Sequence, residues 1–94
     1  MDKIQLLHPD NKKAISMDRT KYGLLKDSFL ACLKLRKHSS FKELSDDVEK
    51  DLRKRRKKIQ GKLEWNLFWV TLDLEARKEI CRDKTKSPFV YSIA

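Results

Sequence analysis

From residue 18 onward the apolar positions recur at helical rather than strand spacing. Tyr22, Leu25, Phe29, Cys32, Leu33 and Leu35 fall three or four apart and predict a first helix to about Lys37 with one buried stripe. Asp18 stands where a side-chain oxygen would cap its first turn, and Lys34, Arg36 and Lys37 stand where cations complement its carbonyl end. His38-Ser39-Ser40 breaks the pattern. Ser40-Phe41-Lys42-Glu43 then reads as a capping box that opens a second helix, with Phe41, Leu44, Val48 and Leu52 as a narrow core stripe. Asp46, Asp47, Glu49 and Asp51 predict an acidic outer face for it.

The run Arg53 to Lys62, RKRRKKIQGK, interrupts the amphipathic pattern and closes on Gly61, a residue suited to a tight turn. A third helix follows over about Lys62 to Lys78 with two apolar arcs. Leu63, Leu67, Val70 and Leu74 make one; Trp65, Phe68, Trp69, Leu72 and Ala76 make the other. Two apolar sides predict a central helix, its second arc hidden beneath the N-terminal segment or a second subunit. After it, Glu79-Ile80-Cys81-Arg82 and Pro88 to Ile93 are β-prone runs joined by a polar connection, the pattern of a hairpin. Residues 1 to 17 read as an N-terminal arm, with a short strand near Ile15 to Met17, and 18 to 94 as the domain.

The fold class expected is mostly α with a C-terminal β-hairpin, an α+β arrangement of three helices plus a wing. That order is the order of a winged helix-turn-helix, whose third helix enters the major groove beside the wing. Leu72-Asp73-Leu74-Glu75-Ala76-Arg77-Lys78-Glu79-Ile80 resembles the stretch that ends the recognition helix and enters the first wing strand in many bacterial winged-helix regulators. The chain also resembles a family of small, uncharacterised bacterial proteins. The likeness rests on Lys21-Tyr22, Gly61, Trp65 and the run Val70 to Arg77, and covers most of the chain. At Lys78 this sequence departs from the pattern, which tends to have Gly there. The resemblance implies a fold and no activity.

Charge adds a partner to this picture. The chain of 94 residues carries 23 basic and 14 acidic side chains, a formal net charge of +9, which favours a polyanion. Arg53, Lys54, Arg55, Arg56, Lys57, Lys58 and Lys62 would gather at the turn into the third helix, and Arg82, Lys84 and Lys86 along the wing, placed to meet phosphates. Base reading is poorly provided for. Glu64, Glu75 and Asp73 would face a duplex, leaving Lys62, Asn66, Thr71 and Arg77 to help, so discrimination between sequences should be weak. The reading is a DNA-binding protein for double-stranded DNA; its alternative is a protein-interaction module on the same scaffold. Trp65, Phe68, Trp69 and Leu72 are candidates for an arm or homodimer interface.

Enzymatic chemistry finds no support. His8 and His38 are far apart, no nucleophile has a His beside it, and the only glycines are Gly23 and Gly61, so neither a metal, a cofactor nor a phosphate cradle is expected. Cys32 and Cys81, with no CxxC pair, read as free, buried thiols in a reducing cytoplasm.

Overall fold

The computed structural model describes residues 2–94. Two short strands, β1 (Lys3–Gln5) and β2 (Ser16–Asp18), pair antiparallel with Ile4 opposite Met17. Helix α1 (Arg19–Arg36) follows directly, then strand β3 (His38–Ser40), helices α2 (Phe41–Lys54) and α3 (Leu63–Ala76), and strands β4 (Ile80–Asp83) and β5 (Val90–Ile93). The second sheet is antiparallel in the order β3-β5-β4, with Ser39 opposite Tyr91 and Arg82 opposite Tyr91 from the other side. The architecture is α+β.

The helix starts follow from their caps. Asp18 Oδ2 accepts from the Lys21 amide at 3.1 Å, and Ser40 Oγ accepts from the Glu43 amide at 3.3 Å. The Glu43 carboxylate turns back onto the Ser40 hydroxyl at 3.2 Å, where the sequence predicts the Ser40 amide. The helix ends share another device. Lys37, Arg56 and Lys78 have φ of 68°, 57° and 63°, the left-handed region that L-residues adopt reluctantly. At Arg56 and Lys78 the chain closes a Schellman turn: the amides of Lys57 and Glu79 reach back to the carbonyls of Leu52 and Leu74 at 2.9 Å each.

One core joins all the elements. Tyr22, Leu25, Phe29, Cys32 and Leu33 of α1 meet Leu44, Val48 and Leu52 of α2, Leu67, Val70 and Leu74 of α3, and Ile80 and Tyr91 of the sheet. Leu35, placed by sequence on the α1 stripe, is 87% exposed. At about 100° per residue it lies well round the helix from Phe29 and Leu33, and the count of three and four does not absorb it.

Three further expectations are corrected. The strands are not all C-terminal. β2 falls where a short strand near Ile15 to Met17 is expected, but β1 pairs with it ahead of the helices, and His38 to Ser40, which looks in sequence like a mere break, forms β3 on the open edge of β5. The first residues do not lie apart as an extended arm either, since Leu6 and Met17 are buried in the shared core. Of the two free thiols, Cys32 is buried and Cys81 is exposed, because Cys81 alternates with Ile80 across β4.

The N-terminal segment is tied to α3 by a buried carboxylate. Asp73 is completely buried, and its oxygens accept from the Leu7 amide at 2.8 Å, the Tyr22 hydroxyl at 2.5 Å and Arg77 Nε at 2.9 and 3.0 Å. A charge so placed is tolerable only because every approach to it is a donor. The Tyr22 phenol is pushed far above its ordinary range, first by burial and then by the neighbouring carboxylate, which accepts its proton as a hydrogen bond. Asp73 also raises the Arg77 guanidinium further.

Candidate functional site

The basic segment joins α2 to α3 and is pinned along its length. The Schellman turn at Arg56 fixes its start, and Ile59 packs against the core in its middle. Lys21 Nζ, reaching from α1, donates to the Gln60 carbonyl at 3.0 Å. Asn66, one turn into α3, donates through Nδ2 to the Lys62 carbonyl at 2.8 Å. Gly61 between them has φ 86°, and a Cβ there would stand 3.2 Å from Asn66 Nδ2, a tight approach, so the turn favours glycine on both counts. The backbone carrying the cations is therefore held in one shape.

The cations divide into two sets. Arg53 pairs with Glu49 at 2.5 Å and Arg55 with Asp51 at 3.3 Å, each one turn back along α2. Lys54, Arg56, Lys57, Lys58 and Lys62 are exposed and make no ion pair among the described residues. The acidic face expected on α2 is correspondingly reduced. Asp47 is bound by Arg36 of α1, whose hydrogen bond holds the carboxyl below its usual range, and Asp51 also accepts from Ser28 at 2.6 Å.

The hairpin brings fewer free cations than its sequence implies. Arg82 Nε lies 3.1 Å from Glu75 Oε1 on α3, and its guanidinium sits 5.3 Å from the Phe89 ring centre. Those contacts fold β4 back alongside α3 and leave Arg82 mostly buried. Lys84 and Lys86 at the tip are exposed. Asp83 shapes that tip by accepting from the Thr85 hydroxyl and amide, at 2.5 and 2.9 Å.

Along α3, the groups named for base reading are mostly engaged elsewhere. Asn66 is only 3% exposed and serves the turn. Thr71 is buried and donates to the Phe68 carbonyl at 2.7 Å, and Arg77 is held by Asp73. Only Lys62 of the four is both exposed and unpaired. The aromatic arc is only partly covered within the chain. Trp65 is 54% exposed and Phe68 42%, Trp69 is half-buried against the core, and Leu72 is buried within the chain. The N-terminal segment reaches only the C-terminal end of this arc, where Asp73 binds the Leu7 amide and Leu6 to Ala14 face Ala76 across a hollow, and leaves Trp65 and Phe68 nearer the start of α3 uncovered.

Sequence reasoning missed two participants. Lys21 gives no local sign of its reach to Gln60, 39 residues away. Asp73 reads as a polar-arc residue, although its setting between Leu72 and Leu74 in an apolar run is the signal that could have marked it as buried. Among the described residues no group of three or more His, Cys, Asp and Glu side chains is arranged to hold a metal ion, and no helix is long and apolar enough to cross a membrane.

A family model described as a family of unknown function, DUF6958, matches residues 3–90. The chain belongs to that family. No curated protein and no solved structure matches it. The match to DUF6958 runs from the first strand through the basic turn to the start of β5, and so includes every residue of the candidate site.

Proposed function

We propose that this DUF6958 protein is a winged-helix DNA-binding protein that grips the phosphate backbone and reads sequence weakly. The single observation that carries the reading is the set of five exposed cations without carboxylate partners on one pinned turn, Lys54, Arg56, Lys57, Lys58 and Lys62. Fixed backbone lowers the ordering cost of meeting successive phosphates. The element order supports the scaffold: helix, strand, helix, helix, hairpin, with the strand after the first helix paired to the last strand, is the order a winged helix would have. Lys84 and Lys86 supply the wing's contact. Because Asn66, Thr71 and Arg77 are engaged, α3 offers base edges almost nothing.

The test is fluorescence anisotropy of a labelled mixed-sequence duplex of about 30 base pairs across a salt series. With the five turn cations, Lys84 and Lys86 on phosphates, log affinity should fall against log salt with a slope of about 6, at roughly 0.9 per contact. A variant with Lys54, Lys57, Lys58 and Lys62 changed to Ser should lose most of that slope. Changing the paired Arg53 and Arg55 should cost less. Equal weak binding by all three would sink the reading.

A second reading, a protein-interaction module without DNA affinity, is favoured by the exposed Trp65 and Phe68 on α3. It expects no slope beyond that of any chain of +9 charge.

A further inference from the structure

We infer that Trp65 is a stacking platform for an unpaired nucleobase, with Lys62 and Lys58 holding the flanking phosphates, so that the chain prefers single-stranded over duplex DNA. This inference rests on the nucleic-acid reading above.

Trp65 lies in the first turn of α3, immediately beyond the pinned loop, and is the most exposed aromatic ring of the chain. Its position is supported from one side: Trp69, one turn on, meets it edge-on with ring centres 6.3 Å apart and planes at 70°. A rigid ring with two rotatable bonds, braced by a second ring and open elsewhere, loses little freedom when a base stacks on it. Beside it is a hollow of about 290 Å³ lined by Lys21, Gln60, Gly61, Lys62, Trp65 and Asn66. Gln60 and Lys21 also wall a neighbouring hollow of about 310 Å³ that extends to Lys58 and Ile59. Asp18 also lines the second hollow, its carboxylate engaged in capping α1, and Lys21, Lys58 and Lys62 give the two together a net cationic path leading to the indole.

Charge sets the direction of approach. The other hollow beside Trp65 shares Lys62 but is walled by Glu49 and Glu64, whose carboxylates repel phosphate. A strand therefore runs past Trp65 on the Lys62 and Lys58 side. A duplex cannot use the platform, because its bases are already stacked on each other and the indole would have to displace one.

The experiment compares labelled oligo-dT of about 20 nucleotides with a duplex of the same length, for the full chain, Trp65→Ala and Trp65→Phe. Trp65→Ala should bind the single strand about tenfold more weakly and the duplex less than about twofold, since one stacked base is worth about a factor of ten or more. Oligo-dT should quench the tryptophan emission of the unaltered chain, and Trp65→Phe, with Trp69 its one remaining tryptophan, should lose that quenching while keeping most of the affinity. Equal losses on both probes, no loss on either, or no quenching would overturn the stacking inference while leaving backbone binding intact. No binding to either probe by the unaltered chain would overturn both.

Discussion

Lys78 occupies the position after α3 where a glycine is the natural residue, and its φ of 63° shows that the backbone makes the glycine turn regardless. The departure from the resembled pattern thus changes the side chain and keeps the fold. A β-carbon in this region costs about 1 kcal/mol, so Lys78→Gly should stabilise the chain by about 0.5–1 kcal/mol, the gain being trimmed by the greater freedom of glycine when unfolded. Urea denaturation would show a raised midpoint at constant slope; a lowered midpoint would mean that the lysine side chain contributes more than its backbone strain removes.

The chain's two tyrosines, Tyr22 and Tyr91, carry a pH dependence of definite sign. Both phenols are raised chiefly by burial, Tyr22 also by Asp73. A raised folded value means that the folded state holds the proton longer than the unfolded one. Their contribution is complete below about pH 10, the ordinary phenol value, and declines as pH climbs above it. Alkaline titration followed by phenolate absorbance should therefore show less ionisation near pH 10 than free tyrosine while the helical circular dichroism persists. Ionisation in the folded chain matching that of free tyrosine would contradict the burial described for both rings.

At the scale of elements, the N-terminal segment is where sequence and structure differ most instructively. The periodicity of α1, α2 and α3 was legible because each repeats over several turns, and the caps Asp18 and Ser40 were legible because capping is local. Three-residue strands such as β1 and β3 offer no period to read, and polar His38-Ser39-Ser40 becomes a strand only because β5 presents an edge to it. Leu6 likewise reveals nothing until Asp73 binds the amide of Leu7 and seats it. Leu6→Ala should cost about 2–4 kcal/mol in urea unfolding, as for a core leucine. A cost below about 1 kcal/mol would mean that the first residues are an appendage after all.

Across the whole molecule, net charge is a poor guide until its partners are assigned. The basic run was legible as a run, and within it only the four-residue spacing of Glu49 to Arg53 and Asp51 to Arg55 marks these two arginines off from the five cations that remain. Arg82 looks like a phosphate contact in sequence and is instead the residue that seats the hairpin on Glu75. Asn66 looks like a reader of bases and instead shapes the turn that presents the lysines. Those assignments arise from folding neighbours together. They also narrow the reading of α3 from a helix that reads a groove to one that supports a basic turn at its N-terminal end and a hairpin beyond its C-terminal end.

The most direct test is a titration of the isotope-labelled chain with duplex DNA, followed by amide and side-chain NMR shifts. Backbone gripping predicts shifts concentrated at residues 54 to 62 and at Lys84 and Lys86, with Glu64, Thr71 and Glu75 on α3 unmoved. Shifts centred on that face of α3 instead, or none at salt concentrations where the chain remains folded, would contradict the account.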